Sequence, residues 1–214
     1  MSERAETFIE QGIVLRRYPL RESDLIVRVL SEKKGKITAI ARGAKRSKRR
    51  FLGGLDLFDC GSFELRSPRA GSELFIIQAL TNQTPWTNLR KSYLPFSLAS
   101  YALELTDLLA REGDPDSHAY LPPLIHLLKC LNSLPTPESC YEESTRFSLA
   151  LLELAGFHPI ADAVGADDAT RDCWAEIATG QQNRATSTSA QDAFHRLVRY
   201  IEQLAQRPLK SYAI

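Results

Sequence analysis

The chain has 214 residues, 43% of them hydrophobic, enough to bury one large core or two small ones. Its formal net charge of +1 hides an uneven division: residues 1–50 hold 14 Lys and Arg against 6 Asp and Glu, whereas residues 51–214 hold 13 against 20. Apolar runs of about 20 residues are absent, and the first ten residues carry three glutamates and no leader-length apolar stretch, so neither a membrane span nor a secretory leader is expected and the cytoplasm is the expected compartment.

From Gly12 to Leu80 the apolar residues come in short β-branched runs with a period of two, punctuated by Gly, Pro, Ser and Asp. The pattern predicts five strands: Gly12–Tyr18, Leu25–Ser31, Gly35–Arg42, Cys60–Arg66 and Leu74–Leu80. Glu32-Lys33-Lys34-Gly35 reads as a hairpin turn in which Gly35 takes positive φ, and Arg69-Ala70-Gly71-Ser72 as a second hairpin between the last two strands. Three strands, an excursion over Gly43–Asp59 and two more strands is the arithmetic of an OB-like barrel, with an SH3-like barrel also compatible. The excursion is expected to cross one end of the barrel as a helix or loop.

After Asn88 the period changes to that of helices. The first predicted helix aligns Leu94, Leu98, Tyr101, Leu105 and Leu108 and ends at Gly113. A second starts near Asp116, delayed or kinked by Pro122 and Pro123, and aligns Leu121, Leu124, Ile125, Leu128 and Leu131. A third has Thr136 as N-cap and Pro137 at its first position, carries Tyr141, Phe147, Leu151 and Leu152, and stops at Gly156 and Pro159. A fourth, opened by Ser189 and Asp192, aligns Phe194, Leu197, Val198, Ile201, Leu204 and Ala205 before Pro208. Residues 157–188, rich in Ala, Asp, Thr, Ser and Gln with Trp174 and Ile177 as apolar anchors, are expected to form an irregular insertion. The fold class is therefore α+β with two domains: a five-stranded barrel over residues 1–82 and a helical domain over 83–214.

The densest chemical signal is Arg42, Lys45, Arg46, Lys48, Arg49 and Arg50, six cations in nine positions, with Lys33, Lys34 and Lys36 in the preceding hairpin. Such a segment neutralises phosphates, and four or five contacts to a single strand imply a log-log salt slope of about −3. Its plain alternative is a solvated loop. Tyr18, Phe51 and Phe58 are the nearest aromatic platforms for base stacking, although an aromatic beside a barrel more often belongs to its core.

Little points to catalysis. Cys60, Cys130, Cys140 and Cys173 form no CxxC pair, so reduced thiols are expected. His118, His126, His158 and His195 stand isolated, and Asp162, Asp167, Asp168 and Asp172 lack calcium-loop spacing. No phosphate-binding Gly-rich loop and no nucleophile elbow occurs. Neither a catalytic residue, a metal nor a cofactor is expected.

The stretch Gly12-Ile-Val-Leu-Arg-Arg-Tyr-Pro-Leu-Arg-Glu-Ser-Asp-Leu-Ile-Val, then Gly35-Lys-Ile and Ala41-Arg-Gly-Ala-Lys-Arg-Ser-Lys, resembles the opening of the RecO family. Leu151-Leu-Glu-Leu-Ala-Gly-Phe-His-Pro159 resembles the end of that family's central helix. The resemblance implies an N-terminal OB domain, a helical domain, and a role in bacterial recombinational repair without turnover of covalent bonds, at the nucleoid. It implies annealing of complementary strands and, with RecR, loading of RecA onto DNA coated by single-strand-binding protein. The implied partners are single-stranded DNA, with double-stranded DNA left open, RecR, the C-terminal tail of single-strand-binding protein, and RecA indirectly. By matching position it places DNA contacts on Arg42, Lys45, Arg46 and Lys48; Arg49 and Arg50 join on charge alone. Arg111, Lys129 and Arg146 are candidate rims for an apolar groove that takes the acidic tail. Many members carry a four-cysteine zinc element where this chain, over Asp162–Gly180, keeps only Cys173, so zinc is not expected there. Two other readings remain: an OB protein that binds structured RNA, and a metal-dependent nuclease.

Overall fold

The computed structural model describes residues 6–47, 49–51, 55–67, 74–133, 135–162, 166–180 and 188–211. The chain divides into two compact units, residues 1–85 with 110–121 and residues 86–109 with 122–214.

The first unit is a closed barrel of β1 (Thr7–Pro19), β2 (Leu25–Ser31), β3 (Gly35–Ala41), β4 (Cys60–Arg66) and β5 (Phe75–Thr81), ordered β1-β2-β3-β5-β4. All neighbours are antiparallel except β3 and β5, which run parallel. This is the OB arrangement, which removes the SH3-like alternative. Alternation builds the interior: Leu25, Val27 and Val29 of β2 and Ile37, Ala39 and Ala41 of β3 point inward with Val14, Phe63, Leu65, Ile77 and Leu80. The first strand begins five residues before the predicted Gly12, because Thr7–Ile13 pairs with β4 while Gly12–Pro19 pairs with β2. An irregularity at Leu15 between Val14 and Arg16 lets one strand serve both partners. Glu10 masked that extension in the sequence. It is a buried carboxylate that accepts a hydrogen bond from Ser31 Oγ at 2.9 Å.

Gly35 opens β3 with φ of +63°, as its turn requires. A Cβ there would lie 1.9 Å from the carbonyl oxygen of Asp114. That contact belongs to the segment Ala110–Leu121, whose Gly113 N–H donates to the carbonyl of Lys36 at 2.9 Å. A 3-10 helix over Pro115–Tyr120 completes this unit. The predicted Arg69–Ser72 hairpin lies outside the described residues.

The second unit contains α1 (Tyr93–Leu109), α2 (Leu121–Asn132), α3 (Pro137–Leu154), α4 (Pro159–Asp162), α5 (Asp168–Thr179) and α6 (Ala190–Ala205). On α1, Leu98, Tyr101 and Leu105 are fully buried; the helix stops at Leu109 rather than at the predicted Gly113, because the chain from Ala110 packs with the barrel. Pro122 and Pro123 occupy the first turn of α2, where a missing N–H costs nothing. Thr136 caps α3, and Ser189 caps α6 by accepting from Asp192 N–H at 3.1 Å. Tyr101 crosses the core, its hydroxyl 2.8 Å from Ser148 Oγ and its ring edge-on to Phe194 at 5.1 Å. Burial pushes its phenol well above the ordinary range.

The expectation of an irregular insertion over 157–188 is corrected: α4 and α5 lie within it. The 12 residues of α5 follow the N-cap Asp167 and are closed by Gly180, whose φ is +71°. Trp174 is 1% exposed and donates its indole N–H to the carbonyl of Ala193 on α6 at 2.9 Å. A single apolar face, Cys173, Trp174 and Ile177, was too sparse to reveal helical periodicity.

Candidate nucleic-acid interface

In the connection from β3 to β4 the described residues Ala44, Phe51, Leu55 and Phe58 turn inward and the described cations lie on the surface. Ala44, Phe51 and Leu55 complete the barrel core, and Phe58 is 1% exposed. Phe51 and Phe58 thus follow the core reading expected for an aromatic beside a barrel, and neither is a stacking platform. Arg42, Lys45, Arg46, Arg49 and Arg50 are exposed; Lys48 lies outside the described residues.

The loop is held by its neighbour, the β1–β2 connection Leu20–Asp24. Gly43 N–H donates to Asp24 Oδ1 at 2.8 Å, Lys45 N–H to the Ser23 carbonyl at 3.1 Å, and Lys45 Nζ to the Arg21 carbonyl at 3.2 Å. The Gly43 bond, opposed by burial and assisted by Ser23, Arg21 and Arg42, keeps the Asp24 carboxyl below the usual range. Arg50 folds back: its guanidinium donates to the Arg42 carbonyl at 2.8 Å and lies 5.3 Å from the centre of the Phe51 ring. Leu80 N–H donates to the Arg50 carbonyl at 3.0 Å, fastening the loop to β5. The Arg46–Glu22 pair, at 3.2 Å, has side chains 73% and 91% exposed and is screened by solvent. The surface therefore keeps most of its positive charge.

The other predicted cations do not join this cluster. In the β2–β3 register Ser31 faces Gly35 and Leu25 faces Ala41, so Lys33 and Lys34 sit at the opposite end of the hairpin, about 20 Å away at about 3.3 Å per residue. There Lys34 Nζ lies 4.8 Å from the centre of the Phe8 ring, beside a cleft of about 420 Å³. Lys36 is buried at 7% exposure and is withdrawn from the surface.

Two cations that the charge pattern did not single out, Arg16 and Arg28, lie on the barrel wall, with Arg28 midway between the two ends of the hairpin. Beyond the irregularity at Leu15, Arg16 pairs with Arg28 and Tyr18 with Ile26, placing all four on the outer wall of the barrel. Tyr18 is 38% exposed, with the Arg28 guanidinium 5.7 Å from its ring centre. The available signal was strand parity in β2: with Val27 and Val29 inward, Ile26 and Arg28 must face out.

Burial pushes the Cys130, Cys140 and Cys173 thiols up, away from reactive thiolate. Asp167 caps α5, accepting from Thr170 and pairing with Arg196 at 2.8 Å; these bonds bring its carboxyl down to about 2. Among the proposed groove rims, Arg111 belongs to the barrel unit, Arg146 is engaged with Glu143 and the Ile177 carbonyl, and Lys129 is exposed on α2. No helix among the described residues is long and apolar enough to cross a membrane.

Residues 4–84 match the family described as Recombination protein O N terminal. The chain is also similar to three proteins each named DNA repair protein RecO. That of Anaeromyxobacter sp. (strain Fw109-5) is 35% identical over 152 residues, 71% of this chain and 57% of the relative. That of Symbiobacterium thermophilum is 33% identical over 156 residues, 72% and 59%, and that of Alkaliphilus metalliredigens 30% over 168 residues, 77% and 65%. The matched stretch thus spans about three fifths of each relative's length.

Proposed function

The chain belongs to the RecO family, and on that premise we propose that it is a non-enzymatic recombination mediator in DNA repair, binding single-stranded DNA at the cationic end of its barrel. The carrying observation is the loop of residues 42–51, which puts its apolar side chains into the barrel and its exposed cations out, with Glu22 as a solvent-screened partner. Arg42, Lys45, Arg46, Lys48 and Arg49 take phosphates. Arg50 holds the loop. Tyr18, flanked by Arg16 and Arg28, gives a base a flat surface to stack on, in place of the buried Phe51. Lys33 and Lys34 add contacts to a strand long enough to run the length of the β2–β3 hairpin.

Phosphate contacts of this kind are indifferent to sequence, as annealing of arbitrary complementary strands requires. In this proposal the protein works in the bacterial cytoplasm, anneals complementary strands and, with RecR, helps load RecA onto DNA coated by single-strand-binding protein. The acidic tail of that protein docks on the helical unit, where Lys129 is the candidate rim cation that remains free of the engagements noted above.

The test is annealing of complementary strands coated with single-strand-binding protein. Wild type accelerates annealing, and a variant with Arg42, Arg46 and Arg49 replaced by Ala does not. Equal rates with and without the protein overturn the mediator reading. Matched DNA and RNA oligonucleotides in competition separate it from RNA binding, which 2′-hydroxyl readout would favour.

A further inference from the structure

A third group of side chains, on the helical unit, has no part in the mediator reading. His126 and Cys130 stand four residues apart on α2, so both project from one face. Glu143, on α3, meets them. Cys130 Sγ lies 3.6 Å from His126 Nε2, and Glu143 Oε2 lies 3.8 Å from the same nitrogen. All three potential ligand atoms fall within 4.8 Å of one another. We propose that His126, Cys130 and Glu143 form a binding site for one divalent transition-metal ion, Zn²⁺ by the chemistry of its ligands.

A tetrahedral zinc ion with bonds of about 2.3 Å to sulfur and about 2.0–2.1 Å to nitrogen or oxygen holds its ligands about 3.3–3.6 Å apart. The sulfur–nitrogen separation of 3.6 Å already meets that, and the nitrogen–oxygen separation of 3.8 Å needs to close by about half an ångström. The donor set of one imidazole, one thiol and one carboxylate selects against Mg²⁺ and Ca²⁺, which take oxygen, and suits Zn²⁺ or Co²⁺.

The surroundings orient the ligands. Arg146 binds Glu143 Oε1 through one guanidinium nitrogen and donates its Nε–H to the carbonyl of Ile177 on α5 at 3.0 Å. With that oxygen occupied, Oε2 is the one turned to His126. Such outer partners are a regular part of metal sites. The His126 side chain is 68% exposed, which leaves a fourth position facing solvent for a water molecule. Binding replaces the Cys130 S–H bond by an S–metal bond and releases the proton to solvent. Thiolate and carboxylate then neutralise the ion, which clips α2 to α3 across the turn between them. Cys173, in the segment that corresponds to the family's zinc element, takes no part.

The experiment is a titration of the metal-stripped full chain with Co²⁺, followed by absorption and then by displacement with Zn²⁺. Wild type is expected to take up one equivalent with a thiolate-to-cobalt charge-transfer band and the strong visible bands of a tetrahedral ion, both bleached by Zn²⁺. Cys130→Ser loses the charge-transfer band. The exposed His126→Ala, which threatens the fold least, weakens binding at least tenfold at unchanged circular dichroism, and Cys173→Ser leaves the spectrum as it was. A charge-transfer band that survives Cys130→Ser, affinity unaltered by His126→Ala, or no tetrahedral spectrum in wild type overturns the assignment.

Discussion

Removal of the outward cations tests the barrel surface most directly. Arg42, Arg46 and Arg49 are exposed, and neither Arg42 nor Arg49 is paired with the Glu22 carboxylate that meets Arg46. On a single strand each phosphate contact contributes about 0.7 to the slope of log affinity against log salt. Replacing all three by Ala should therefore flatten that slope by about 2.1. Wild-type affinity should then fall about 18-fold more than the variant's between 50 and 200 mM salt. Fluorescence anisotropy with a labelled oligonucleotide at four or five salt concentrations reads this directly. Lys33→Ala with Lys34→Ala is the positional control: with those side chains about 20 Å away along the hairpin, it should change nothing on an oligonucleotide of about 4 nucleotides and flatten the slope on one of about 16. A triple variant whose slope matches wild type refutes the assignment of the phosphate contacts to this loop, whatever its absolute affinity.

Three further outcomes follow from the fold. Gly35→Ala must adopt φ near +63° with a methyl group driven toward the Asp114 carbonyl, and should lower the urea-unfolding free energy by at least about 1–2 kcal/mol; an unchanged midpoint would mean that the segment Ala110–Leu121 does not press on this turn. Trp174→Ala removes a side chain that is 1% exposed and should cost about 3–5 kcal/mol in chemical denaturation, whereas a loss within about 0.5 kcal/mol would restore the irregular reading of residues 157–188. Asp167 titrates at about 2 in the folded chain against about 3.9 when unfolded, so its contribution to stability is full above the unfolded value and is lost as pH falls through the folded one. Asp167→Asn keeps a capping side chain but lacks that charge; the gap in thermal stability between it and wild type should be constant above about pH 5 and close between about pH 4 and 2, and a gap independent of pH rules out the ionised Asp167–Arg196 pair as its source.

The five strands were legible because each buries one face, so that Val27 and Val29 or Ile37, Ala39 and Ala41 had to alternate with residues facing outward. The start of β1 was hidden because its pairing with β4 runs through Glu10 and Gln11, whose side chains are held by Ser31 and Ser62 rather than by apolar packing. Helix α5 was hidden for the opposite reason. Its stability is concentrated in one tryptophan, one cap and one ion pair to α6, and none of these produces a period in the sequence. The end of α1 was misplaced at Gly113, whose positive φ of 70° is real but serves the segment that packs with the barrel.

The candidate site separates two kinds of closeness. Lys33 and Lys34 precede Arg42 by only eight or nine residues, yet an intervening strand carries the chain the full length of the hairpin and places them at its far end. Arg21 to Asp24 lie roughly 20 residues before the cationic loop and hold it through four bonds, from Gly43 N–H, Lys45 N–H, Lys45 Nζ and Arg46 to Asp24, Ser23, Arg21 and Glu22. A run of like charge would otherwise splay apart by its own repulsion. Here the carboxylate of Asp24 binds backbone N–H rather than a guanidinium, so it fixes the path of the loop while the side-chain cations it neighbours stay directed at solvent. His126, Cys130 and Glu143 follow the same logic on the helical unit: His126 reads as isolated in the sequence, and only the helix that sets Cys130 one turn away and the packing of α3 bring a thiol and the Glu143 carboxylate to the imidazole.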